Sequence, residues 1–165
     1  MSASTTPFAI REAGPADVVR AGDVVAAAYL HDLTVSDGYV EHLRNAATRA
    51  RQAVLLVAVH DTTVLGSVTY AIGGTPLAQR ATAQEAELRM LGVGPAYRGR
   101  GVAEALVAEC IDRARRDGVR RIVLSTQPEM LAAQRLYSRL GFVRQPDLDW
   151  VPEPEVKLLG YAFVL

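Results

Sequence analysis

Cysteine is almost absent from the chain: Cys110 stands alone among 165 residues. An internal disulfide and a cysteine-built metal cluster are both excluded. Histidine is scarce as well, and His31, His42 and His60 lack the HExxH spacing of a zinc site. A charge excess is missing too. Lys and Arg number 18, Asp and Glu number 18, and the formal net charge is zero. That argues against a domain that binds nucleic acid by bulk charge. Lysine is reduced to Lys157, so 17 of the 18 basic residues are Arg; with 26 Ala this composition points to a bacterial, GC-rich coding bias. Long apolar runs are lacking. The longest, Ala53–Val59, has seven residues, against about 20 for a membrane span. The opening segment, Met1–Pro7, is small and polar, without the layout of a signal peptide. These absences predict a cytoplasmic protein with no metal and no membrane partner.

What is present fits one domain over residues 1–165, since about 100–200 residues make a domain. Half the residues are apolar and 22% are charged, a globular balance. Phe8–Arg11 reads as a short strand. Asp17 is placed to cap a helix running to about Tyr29, and a second helix is expected over Tyr39–Arg51. Val54–His60 and Val64–Ala71 form an expected hairpin, followed by a Gly-, Thr- and Ala-rich loop over Gly73–Gln84. Glu85–Val93 is a strand with Glu85, Glu87, Arg89 and Leu91 on one face. A helix opens after Gly101 and runs to Arg116, with Cys110 on its apolar stripe as a buried structural thiol. Ile122–Ser125 is a strand and Pro128–Leu140 a helix. Phe142–Val143 and Lys157–Val164 are terminal strands across a Pro-, Asp- and Glu-rich loop.

Chemistry concentrates in Leu91–Ala103, where a strand runs through a glycine-rich loop straight into a helix. Free backbone N–H groups at such a helix start, with the helix dipole, suit a phosphate or pyrophosphate. Arg98 and Arg100 add positive charge. A P-loop is ruled out, because no Lys-Ser/Thr pair follows Gly101. The dinucleotide fingerprint fails because Glu104 stands at its third glycine. The pattern [Arg/Gln]-x-x-Gly-x-[Gly/Ala] is met by Arg98-Gly99-Arg100-Gly101-Val102-Ala103.

That loop resembles the pyrophosphate loop of the GNAT acetyltransferases, which bind coenzyme A. The resemblance extends over nearly the whole chain. Glu87–Val93 is similar to the family's fourth strand, Pro95 to its following turn and Ile122–Thr126 to its fifth strand. Leu131–Phe142 is similar to its last helix, with the ending Leu136-Tyr137-x-x-x-Gly141-Phe142, and Ile10-Arg11-x-Ala13-x-x-x-Asp17 is similar to its opening. The implied fold is α/β (α+β): a central mixed, mostly antiparallel sheet, splayed between its fourth and fifth strands and flanked by about four helices.

The resemblance implies acetyl-CoA as acetyl donor, with transfer directly to a primary amine. Backbone groups of Leu91, Gly92 and Val93 are implied to hold the pantetheine arm in the manner of an added strand. Those of Arg98, Gly99, Arg100, Gly101, Val102, Ala103 and Glu104 are implied to hold the pyrophosphate. Gln134 falls where many relatives carry an Asn that touches the coenzyme. Glu87 is the implied general base, with Glu85 as the alternative, and Tyr137 is the implied general acid. A backbone N–H near Leu91 is the implied oxyanion donor.

Other roles compete with these. Glu87 is also placed to pair with Arg89 or Arg121 on a strand surface, and Tyr137 to cover the core. Arg113–Arg116 with Arg120–Arg121 reads as a solvated basic face. The acceptor, a small molecule or a peptide, is left to Tyr29–Tyr39, Gly73–Glu85 and Gln145–Val156. In the last, Asp147, Asp149, Glu153 and Glu155 form either a solvated loop or an attractor for a cationic amine. Trp150 and Tyr39 are candidates to line an apolar pocket. The resemblance allows a homodimer. Two alternatives share the fold: a non-catalytic acetyl-CoA sensor, and a toxin-type acetyltransferase acting on aminoacyl-tRNA, against which the zero net charge argues.

Overall fold

The structure, a computed structural model, describes residues 7–165. The polar opening segment, residues 1–6, lies outside them. Eight strands and five α-helices follow one another in a mixed order. The strands are β1 (Ala9–Glu12), β2 (Val54–His60), β3 (Thr63–Ile72), β4 (Glu85–Val93), β5 (Arg121–Thr126), β6 (Val143–Arg144), β7 (Trp150–Glu153) and β8 (Val156–Val164). The helices are α1 (Val18–Asp32), α2 (Asp37–Arg44), α3 (Ala46–Gln52), α4 (Val102–Asp117) and α5 (Leu131–Leu140). One sheet runs in the order β1-β2-β3-β4-β5-β8-β6, with β7 paired to β8. β4 and β5 are parallel; β1–β2, β5–β8, β6–β8 and β7–β8 are antiparallel. The mixed open sheet is the architecture that the resemblance implied.

The chain forms two compact units. The first takes residues up to Thr69 with Met90–Glu109, and the second takes Tyr70–Arg89 with Cys110–Leu165. In the first unit α1 carries a run of small buried residues, Ala21, Gly22, Val25, Ala26 and Ala28. They let it approach the sheet closely: a Cβ on Gly92 of β4 would stand 3.0 Å from the Val25 Cα. The expected single helix over Tyr39–Arg51 is two. Asn45 ends α2 and begins α3, because its side chain accepts from the Thr48 N–H and restarts the helix there. Asp17 stands at the start of α1 but does not cap it with its side chain. Its carboxylate turns back to the Gly14 N–H and the Arg11 guanidinium instead.

The second unit departs from expectation in its C-terminal third. The segment expected as a loop contains β7, because Trp150 and Glu153 pair with Leu158 and Val156 in a hairpin. α5 begins at Leu131 and not at Pro128, since a turn closed by Met130 N–H on the Gln127 carbonyl occupies the intervening residues. Cys110 is buried and in no disulfide, as expected of a structural thiol.

Candidate active site

In β4 the two-residue alternation breaks at Met90, whose φ is +54. A non-glycine residue in that region is a strained, bulge-like kink. Register with β5 runs from Glu85↔Arg121 to Leu88↔Leu124 and stops there, although β4 continues to Val93. Leu91, Gly92 and Val93 therefore have no partners on β5. This is the interruption that the splayed-sheet expectation requires. The sequence placed Leu91 on one face with Glu87 by simple alternation; the kink at Met90 breaks the regularity on which that count relied.

Beyond β4 the chain turns on a Gly94 N–H bond to the Leu65 carbonyl and a Tyr97 N–H bond to the Gly94 carbonyl. Gly99 and Gly101 follow at φ +76 and +78. The backbone there is left-handed, and a Cβ at either residue would meet nothing within 4 Å. Glycine is required by conformation, and the space above it is open to a ligand. The Gly101 carbonyl takes the first bond of α4, from Ala105. Val102 and Ala103 thus lead the helix with N–H groups that its own ladder cannot use. These features fit a pyrophosphate bound by backbone.

The Arg98 side chain is not aimed at such a ligand. Its two terminal nitrogens fork onto both oxygens of Asp32 at 2.8 and 3.0 Å, fastening the loop to the end of α1. Arg98 in turn holds the Asp32 carboxyl below its ordinary range. Arg100 lies over the Tyr97 ring, 5.9 Å from its centre.

The second unit holds the candidate acid and bases. Glu87 is 2% exposed, which excludes the surface ion pair. Its Oε1 accepts three backbone N–H bonds, from Gln79 at 2.9 Å, Arg80 at 2.6 Å and Ala81 at 2.8 Å. Oε2 accepts none from the described residues, so it is the oxygen left for a proton. Glu85 is fully buried and committed at both ends. Oε1 takes the N–H and hydroxyl of Thr82, and Oε2 takes Arg120 and Arg121. Burial works against its charge, but the Thr82 donors and Arg121 outweigh it and hold the carboxyl below its ordinary range. Arg121 is accordingly drawn in from the solvated basic face, whereas Arg120, though it reaches Glu85, keeps its side chain 64% exposed.

Tyr137 is buried on α5 beside Phe142 and Tyr161, at ring separations of 5.8 and 6.2 Å. Burial, with a smaller contribution from the Cys110 thiol, pushes its phenol well above the ordinary range, so it keeps its proton at neutral pH. Gln134 spends its amide nitrogen on the Gln127 and Pro128 carbonyls at 3.2 and 3.1 Å. Its oxygen accepts from Tyr161. The side chain thus braces the turn before α5.

Of the acidic C-terminal segment, Asp149 is neutralised: Arg144 forks onto both its oxygens at 2.6 Å, and the Gly160 N–H adds a third bond. Trp150 donates its indole N–H to Ser125 at 3.1 Å, and the Arg80 guanidinium lies 5.6 Å from its ring centre. Sequence reasoning missed Arg80, Asp32 and the kink at Met90. The first two are single charges in no motif, and Met90 carries no sign of its conformation. No group of three or more potential metal ligands occurs among the described residues. No helix among them is long and apolar enough to cross a membrane.

The family model for the Acetyltransferase (GNAT) family matches residues 23–142. The chain belongs to the GNAT acetyltransferase family. Over 55 residues it is 44% identical to N-alpha-acetyltransferase 30 of Saccharomyces cerevisiae, a stretch covering 33% of this chain and 31% of that protein. Over 94 residues it is 31% identical to N-acetyltransferase 8B of Rattus norvegicus, covering 56% of this chain and 41% of that one. The chain thus spans less than half the length of these curated relatives. A GNAT-family acetyltransferase of Staphylococcus aureus Mu50 shares the fold at a TM-score of 0.77 and 15% identity, over 96% of this chain and 99% of that one. A GNAT-family acetyltransferase of Brucella melitensis, solved in complex with acetyl-CoA, is similar at a TM-score of 0.63 and 25% identity, over 93% and 88%.

Proposed function

We propose that this GNAT-family chain is an N-acetyltransferase that moves the acetyl group of acetyl-CoA to a primary amine by direct attack. One observation carries the reading: two left-handed glycines with open space above them lead into α4, directly after a β4 segment that has lost its β5 partner. Backbone of Arg98–Glu104 holds the pyrophosphate, and the unpaired stretch Leu91–Val93 holds the pantetheine arm by strand addition.

Glu87 Oε2, directly or through one water, removes a proton from the acceptor ammonium. The amine nitrogen then attacks the thioester carbonyl carbon, and the Leu91 N–H supports the oxyanion that forms. As the tetrahedral species collapses, the C–S bond breaks, the Tyr137 phenol delivers its proton to the leaving sulfur, and the second proton lost from the attacking nitrogen restores the phenol through solvent. The products are the N-acetylated acceptor and coenzyme A with a free thiol. A phenol that stays protonated at neutral pH suits this role. The three N–H bonds on Oε1 hold the Glu87 carboxylate in place and leave Oε2 for the chemistry.

An assay of thiol release from acetyl-CoA across a panel of amines tests the reading, with Tyr137→Phe alongside. Release with at least one amine, and a fall of about tenfold or more in kcat for the variant, are expected. Binding of acetyl-CoA without release on any amine would instead favour a coenzyme sensor.

A further inference from the structure

Arg80 has no assigned role, yet it is set among the groups that would meet the acceptor. Its backbone N–H is one of the three that bind Glu87 Oε1. Its guanidinium lies over the Trp150 ring, and Trp150 is tied through its indole N–H to Ser125 of β5. The parallel register aligns Glu87 with Val123, and alternation puts Ser125 on the same face as Val123. Glu87, Ser125, Trp150 and Arg80 therefore belong to one face of the second unit.

Arg80 differs from four other arginines of this unit, and from the exposed Arg135 in being half-buried. Arg120 and Arg121 are taken by Glu85, Arg144 by Asp149, and Arg89 donates to the Leu77 carbonyl. Arg80 is half-buried, its Nε is sealed from solvent without an acceptor, and no carboxylate among the described residues pairs with it. The acidic segment beside it supplies no partner: Asp149 is already spent on Arg144. A half-buried guanidinium lying over an aromatic ring keeps its planar fork of terminal donors, which matches a carboxylate.

We propose that Arg80 is a specificity-determining residue that binds a carboxylate on the acceptor, so that the substrates are amines carrying a nearby carboxylate. The proposal rests on acetyl transfer as read above. Glu87 faces the ammonium and Arg80 the carboxylate, so the two charges of the face complement a zwitterionic acceptor. Two sources present that chemistry: a free amino acid, through its α-carboxylate, and a peptide N-terminus with Asp or Glu beside the amine. Trp150 supplies the flat apolar wall against which Arg80 is held.

The test uses matched pairs that differ only in charge: amino acids against their amides, and short peptides beginning with Asp or Glu against those beginning with Asn or Gln. Thiol release is followed for the wild type, Arg80→Gln and Arg80→Lys. The carboxylate member is expected to have a kcat/KM about tenfold or more above its partner, carried mostly in KM. Arg80→Gln collapses that ratio toward one, and Arg80→Lys, which keeps charge without the fork, retains part of it. The pair family that shows the preference identifies the source. In parallel, N-acetylated amino acids and their amides are titrated calorimetrically into protein saturated with coenzyme A, which requires no turnover. Equal binding of the two members by the wild type, or a preference that survives in Arg80→Gln, overturns the proposal. A carboxylate preference in binding without thiol release on any amine would leave Arg80 as proposed and remove the acetyl-transfer reading instead.

Discussion

Two loops of this chain are built on opposite plans. Residues 94–101 are shaped by backbone: left-handed glycines, helix-leading N–H groups, and an arginine whose side chain faces the protein and not a ligand. Residues 73–84 are shaped by side chains lent from β4. Glu87 gathers three N–H groups at Gln79–Ala81, Glu85 holds Thr82, and Arg89 holds the Leu77 carbonyl. The first plan leaves donors facing outward for a ligand. The second uses buried carboxylates as clamps, and one of them keeps a single oxygen for chemistry.

The comparison explains what could be read from the sequence. Backbone-built sites leave a spacing of glycines, so Arg98–Ala103 was legible as a phosphate loop and, by resemblance, as a coenzyme loop. The strand and helix order was legible for the same reason, because periodicity and glycine stops are local. Side-chain clamps leave no spacing. Glu87 and its alternative Glu85 stand two residues apart on one strand face in the sequence, with nothing to show that Glu85 is saturated at both oxygens and Glu87 at one. The division of the second helix at Asn45, the strand at Trp150–Glu153 and the turn before α5 were missed because each depends on a hydrogen bond or pairing that composition does not announce.

The largest expected effect separates the two duties of Glu87. Glu87→Gln keeps an oxygen for the three N–H groups but removes the base, so kcat falls about 100-fold while the melting temperature stays near that of the wild type. Glu87→Ala removes the clamp as well and destabilises by about 3 kcal/mol, a loss of roughly 6–12 °C in Tm. Equal melting of the two variants would show that the carboxylate is not what holds the loop.

Next in size is the backbone plan. Gly101→Val forces a β-branched residue into φ +78, so acetyl-CoA affinity drops by roughly tenfold or more, as read by calorimetry. Glu85→Gln then weakens the charged end of the second clamp. It lowers stability by about 2 kcal/mol in denaturant titrations, without a change in acetyl-CoA affinity.

The pH dependence follows from carboxyls held below their ordinary values. Glu85, Asp32, Asp17 and Asp149 are all lowered. Each contributes stability that is complete above its unfolded value and is lost as pH falls through the folded one. Unfolding free energy should therefore be level near neutrality and decline once pH drops below the ordinary carboxyl values of 3.8 and 4.5. A decline already under way at neutral pH would contradict these assignments.

The smallest effect concerns Arg98. Since its fork is spent on Asp32, Arg98→Ala and Asp32→Ala should weaken acetyl-CoA binding equally, by no more than about fivefold. A much larger loss for Arg98→Ala alone would mean that the guanidinium reaches the phosphate.

The most direct test of the whole account is one calorimetric series with acetyl-CoA as titrant, run on the wild type, Gly101→Val and Glu87→Gln. Binding by the wild type, its loss or sharp weakening in Gly101→Val, and full retention in Glu87→Gln are expected. No binding by the wild type, or equal losses in the two variants, would contradict it.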